Sequence, residues 1–209
     1  MLRVGFHVSI ADALDEAVDR AVELDCNTFQ MFTRTPRAWA TDKLTNEEVR
    51  AFVDKVNSHD VKPVFAHVPY LMNLASARRD VYVKSVKTLK EELKRCRRLE
   101  IPFLVTHLGS HLGSGKQKGF ERIINAVDEA YRSVGSGVML LLENTAGTRN
   151  SMGGRFEDIR SIIRGLAQPE FVGVCFDTAH GFASGYDLRS VKAVEETLRA
   201  FDEVIGFRT

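Results

Sequence analysis

The chain has 209 residues, 44% hydrophobic and 27% charged, with a formal net charge of +1 at pH 7. That composition fits a globular core of one or two domains, and it neither demands nor excludes a polyanionic partner. No stretch reaches the ~18 apolar residues of a membrane span. The opening MLRVGFHVSI is too short and interrupted for a secretory signal, and Cys26, Cys96 and Cys175 form no CxxC pair. The expectation is a cytoplasmic protein with reduced thiols and no membrane contact.

Read in chain order, strands and helices alternate. Leu2–His7 reads as a strand, Ile10–Leu24 as an amphipathic helix that Ser9 could cap, and Thr28–Phe32 as a second strand. A polar loop, TRTPRAWATDKL, leads to a helix opening at Thr45, with Glu48 at capping-box spacing. Val64–His67, Phe103–His107, Val138–Glu143 and Phe171–Asp177 are the next strands. Helices over Arg78–Leu99, Phe120–Val134, Phe156–Leu166 and Leu188–Phe201 follow them in turn. The segment from Arg78 to Glu100 carries nine Lys or Arg against four Asp or Glu, which reads as the solvated face of a long helix.

Strands that alternate with helices build a parallel sheet with right-handed crossovers. No GxGxxG or GxxxxGK[ST] follows the first strand, so a nucleotide-binding doubly wound sheet is disfavoured. Six strand–helix units are present, against the eight of a TIM barrel. The expectation is one α/β barrel domain over residues 1–209, lacking the last two units.

The strand ends carry the chemistry. Parallel strands buried on both faces are continuous apolar runs, and polar residues are tolerated where they emerge. His67, His107, Glu143 and Asp177 each close such a run, at intervals of about 35 to 40 residues, one strand–helix unit apart. His180 follows Asp177 by three. All five would meet at the carboxyl rim, where barrel active sites are built. Imidazole with carboxylate suits Zn, Mn or Fe better than Ca or Mg, and a carboxylate can bridge two ions. Such a site activates water and clamps a phosphoryl or acyl centre. His7 and His111 read either as supports for the site or as satisfied polar groups. Arg37, Trp39 and Tyr70 lie on rim loops, where side chains of this kind fill a gap in a stacked duplex.

The runs His67-Val-Pro-Tyr70-Leu-Met-Asn-Leu-Ala75, Thr106-His107-Leu-Gly-Ser-His111, Leu142-Glu143-Asn144-Thr-Ala-Gly147 and Val174-Cys-Phe-Asp177-Thr-Ala-His180 resemble the endonuclease IV family, as do Gly5-Phe-His7-Val-Ser9 and the Arg37-Ala-Trp39 loop. The resemblance implies a xylose isomerase-like TIM barrel with three zinc ions. It also implies incision of double-stranded DNA 5′ to abasic sites by metal-activated water, leaving a 3′-hydroxyl, and a monomer. By this likeness His67, His107 and Glu143 hold one metal, Glu143 bridges to a second bound by Asp177, and His180 serves a third. Glu143 is then the catalytic residue, Arg37, Tyr70 and Trp39 contact DNA, and His7, His111 and Asn144 support the ligands.

The match departs from the family at Leu108, usually Pro, and at Ala179, often Cys. The family's further ligands, a His, an Asp-x-His pair and a final Glu, have no counterpart before Thr209, so about one zinc is expected to be fully liganded and the chain to be poorly active. Two alternatives compete. A metal-dependent sugar isomerase or epimerase uses a similar barrel, and a damaged-DNA-binding module would recognise without cutting.

Overall fold

The computed structural model describes residues 2–207. Five strands, β1 (Phe29–Phe32), β2 (Val64–His67), β3 (Phe103–His107), β4 (Met139–Glu143) and β5 (Val172–Cys175), form one parallel sheet in sequential order. A doubly wound sheet reverses its strand order at a switch point, whereas a barrel wall adds each strand beside the last. The sequential order is that of a barrel wall.

The connecting helices are α1 (Glu16–Glu23), α2 (Asn46–His59), α3 (Arg79–Arg98), α4 (Lys116–Val134), α5 (Phe156–Gly165), α6 (Thr178–Ala183) and α7 (Val191–Val204). Neighbouring helices pack on one another, α1 on α2, α3 on α4 and α4 on α5. Between helices and sheet lies a dry layer that includes Phe29, Met31, Ala66, Leu104, Leu140 and Leu142, all at most 1% exposed. Strand alternation places Gln30, Phe65, Phe103 and Leu141 on the opposite face, where Phe65 and Phe103 stack at 5.0 Å. Tyr131 ties α4 to the sheet: its hydroxyl accepts from Leu140 N (3.0 Å) and lies 2.8 Å from Phe171 O.

Three expectations need correction. The segment Leu2–His7 is not a full strand. It runs alongside β1 through one parallel bridge, His7 to Gln30, with Val4, Phe6 and Val8 sharing backbone hydrogen bonds with 27–30. Phe6 is 60% exposed, and with a strand neighbour on one side only among the described residues the segment has little to hold it flat. Gly5 brings it very close to β1, since a Cβ there would sit 1.7 Å from Thr28 O. Helix α1 begins at Glu16 rather than Ile10, because Ser9 Oγ accepts from Ala11 N and Asp12 takes a positive φ of 71°. The stretch between Asp177 and Leu188, to which the sequence reading assigns no element, holds α6, which starts immediately after Asp177. The capping box at Thr45 and Glu48 is formed as its spacing predicts, with both reciprocal bonds.

Candidate metal centre

Pairing register sets the first part of the site. His107 lies directly beside Glu143 on β3 and β4, while His67 pairs with Val105 one strand further along. The three side chains end the β2, β3 and β4 runs on the same rim. Glu143 Oε2 lies 3.0 Å from His67 Nε2 and 3.1 Å from His107 Nδ1. His67 is 7% exposed and Glu143 5%.

The ring of His67 is oriented by its other nitrogen. Nδ1 lies 2.7 Å from Val68 O, so it carries the proton and donates. Nε2 is thereby the nitrogen turned toward Glu143, 3.0 Å from its Oε2. An imidazole nitrogen and a carboxylate oxygen at that distance can share one cation, a proton or a metal ion. Burial holds His107 below the usual imidazole range, against the pull of Glu143. Neutral imidazole is the ligating form.

The second part is built on a turn. Asp177 caps α6, accepting from His180 N at 2.7 Å. Asn144, buried directly after Glu143, clamps that turn: its Nδ2 donates to Asp177 O (2.9 Å) and its Oδ1 accepts from Asp177 N (2.6 Å). His180 Nδ1 donates to Asn144 O at 3.0 Å and stands 3.5 Å from Glu143 Oε1. The structure thus yields two overlapping ligand sets, His67–His107–Glu143 and Glu143–Asp177–His180. The ligand atoms of each lie within 4.8 Å of one another. Imidazole nitrogen and carboxylate oxygen at this density fit a zinc-like cation. Cys175 is nearby, but burial and the charges of Glu143 and Asp177 push its thiol up to about 12, so it offers no thiolate at neutral pH.

The sets open on a recess of about 380 Å³ whose walls include His7, Gln30, Phe32, Tyr70 and Phe176. A hollow of similar size at the opposite end of the strands, lined by Arg3, Val56 and Leu99 among others, contains no such donor set. His7 Nδ1 lies 2.8 Å from Gln30 Oε1, and the His7 and His67 rings are 6.5 Å apart. His111 serves its own loop, its Nδ1 accepting from Gly113 N and Gly115 N, both at 3.2 Å. Arg37 is exposed. Tyr70, 58% exposed, packs edge-on to Phe32 at 5.1 Å and donates its backbone N–H to Pro36 O. Trp39 is half-buried, with Lys84 Nζ 5.9 Å from its ring centroid.

Reading by sequence missed Gln30, Phe32 and Phe176 in the recess. Gln30 had a faint signal, as a lone polar residue inside Phe29–Phe32.

Comparison with known proteins agrees with this geometry. Residues 18–208 match the family described as xylose isomerase-like TIM barrel. A probable endonuclease 4 from Methanosphaerula palustris is 46% identical over 99% of this chain and 73% of its own length. Its counterpart from Nitrosopumilus maritimus is 44% identical, over 98% and 74%. The crystal structure of endonuclease IV from Thermus thermophilus superposes with a TM-score of 0.86 at 32% identity, covering 99% of this chain and 73% of that one. A D-tagatose 3-epimerase-like protein shares the fold at TM-score 0.69 but only 18% identity. The identity to endonucleases against bare fold likeness to epimerases decides the assignment: the chain belongs to the endonuclease 4 family of xylose isomerase-like TIM barrels.

Proposed function

We propose that this protein is a zinc-dependent DNA-repair endonuclease that cuts the phosphodiester 5′ to an abasic site and leaves a 3′-hydroxyl. One observation carries the chemistry: three imidazoles and the Asp177 carboxylate, from three separate segments, gather around Glu143 on a fourth, with His67 Nε2 3.0 Å from its Oε2. Bound there, zinc supplies a water that is nucleophilic at neutral pH and stabilises the leaving oxygen.

The chain's own groups do the rest. Val68 O fixes the His67 tautomer, and Asn144 holds both Asp177 and His180 on the rim. Glu143 gives one oxygen to each ligand set. His67, His107 and Glu143 form the more enclosed zinc site, and Asp177 and His180 contribute to further ones. Tyr70 lines the recess and Arg37 is exposed on the loop joined to it at Pro36, and both would occupy the stack vacated by a flipped-out abasic nucleotide. Trp39, on the same loop as Arg37, is the third DNA contact. Substrate is double-stranded DNA, the working unit is a monomer of one barrel domain, and the compartment is the cytoplasm. Among the described residues no helix is long and apolar enough to cross a membrane.

The test is incision of a labelled duplex with one abasic site, with and without added zinc, followed by polymerase extension of the product. Extension from the nick is expected. Binding without incision would leave only a recognition module, and ketose–aldose interconversion in its place would favour the isomerase alternative. Arg37→Ala and Tyr70→Ala should weaken duplex binding with bound metal unchanged, Tyr70→Ala by about 1–3 kcal/mol if a base stacks there. Lost metal with intact affinity would reverse those two roles.

A further inference from the structure

The charges of 78–100 read as the solvated face of a long helix, and Glu92 of α3 is an exception that points somewhere specific. Glu92 is wholly buried, and so is the side chain of Arg34, the second residue after β1. Arg34 Nε donates to Glu92 Oε1 at 2.5 Å, Thr33 Oγ1 donates to Glu92 Oε2 at 2.7 Å, and Arg34 Nη2 reaches Glu91 at 3.1 Å.

Around this pair, guanidinium groups hold the backbone of the loop from Thr33 to Leu44. Arg34 Nη1 donates to Trp39 O at 3.4 Å. Arg95 Nη1 donates to Asp42 O at 2.9 Å, while its Nη2 donates to Thr33 O. Arg98 Nη1 donates to Leu44 O at 2.6 Å. Lys84, also on α3, lies over Trp39. The same loop carries Arg37, and its Pro36 carbonyl accepts from Tyr70 N.

Two charges taken fully out of water are costly, and an apolar pair of similar volume commonly stabilises a fold as well or better. Packing α3 onto the sheet therefore does not need this pair. Its distinctive output is direction, since a planar guanidinium held by Glu92 aims donors that an apolar side chain lacks. We propose that Arg34 and Glu92 are positioning residues that set the conformation of the 33–44 loop, so that the rim meets DNA with Arg37 already in place. The inference rests on the reading of that loop as a DNA contact.

Trp39 is the chain's only tryptophan, so its emission and acrylamide quenching report this loop alone. The decisive variant is Arg34→Met/Glu92→Leu, compared with Glu92→Gln and Arg37→Ala. Each is measured for Tm, bound zinc, Trp39 quenching and affinity for a duplex bearing a tetrahydrofuran abasic analogue. The apolar pair should keep Tm and zinc near wild type, while Trp39 quenching rises and affinity falls roughly tenfold or more, the scale on which misplaced contacts act. Wild-type quenching and affinity in that variant would overturn the proposal and leave the pair a packing element. Should it fail to fold, Arg95→Lys, which keeps the charge but loses the fork, should still raise quenching and weaken binding, and no change in either refutes the clamp. If Arg37→Ala binds normally, the loop does not read DNA, and the functional reading falls together with this inference. If Arg37→Ala weakens binding and the clamp variants do not, only the inference falls.

Discussion

The two halves of the candidate metal centre are held by different physics. His67, His107 and Glu143 stand on adjacent parallel strands, where backbone pairing fixes their spacing and the surrounding core keeps His67 and Glu143 nearly dry. Asp177 and His180 stand on the first turn of a six-residue helix, each with a side chain one-third exposed, and one asparagine keeps them in place. A strand-held ligand moves only if the sheet does. A turn-held ligand moves when its clamp goes.

Glu143→Gln is the strongest way to break both halves together, because both share that carboxylate. Bound metal should drop by elemental analysis, and single-turnover incision should fall on the order of 10³-fold, as when one preorganised electrostatic group is removed. Incision and metal content near wild type would mean that the halves do not meet at Glu143.

Metal removal sharpens the contrast. Ligands that lie in separate segments converge only in the folded chain, so metal binding adds to folding stability, by about 2.7 kcal/mol at a hundredfold excess over Kd. Chelation should lower Tm accordingly. His67→Ala should abolish most of that response, and His180→Ala should keep most of it. Equal loss in the two variants would contradict the difference between strand and turn.

Asn144→Ala tests the clamp. Metal affinity at the Asp177–His180 half should fall about 10- to 100-fold, the usual cost of removing a group that orients ligands. Competition titration should find the His67–His107 half unchanged. Weakening of both halves alike would show that Asn144 acts through Glu143 instead. The smallest effect serves as a control far from the rim. Thr45→Ala removes the α2 capping box and should cost about 1 kcal/mol in denaturant unfolding, with metal stoichiometry unaltered.

The two halves were also unequally legible in the sequence. An apolar run closed by His or Glu predicts a buried parallel strand and a polar rim position at once, so β2, β3 and β4 came with their site residues. Helix α6 was hidden because Thr178–Ala183 is too short to show a period and contains a glycine. Asn144 entered only through the family likeness, since nothing in Glu-Asn-Thr tells that the amide bonds a turn 33 residues on. The burial of Glu92 is illegible in the sequence for a related reason. Its burial depends on Arg34, and a helix full of charges offers no local sign of which one turns inward. The weak edge segment 2–7 was overrated because an apolar run does not reveal how many neighbours it will have.

Glu143 presents Oε2 to His67 and His107 and Oε1 toward His180. Two guests sharing one host anion cannot bind independently. The first to arrive orients the carboxylate for the second but also neutralises part of its charge, so each affinity is a function of the other's occupancy. Thermodynamic reciprocity makes that coupling equal in both directions. A titration of the metal-free protein should therefore not give two superposed independent isotherms but an ordered curve. Loading begins at the drier strand-borne set, and the spacing between its steps measures how strongly one side chain ties the two ions together.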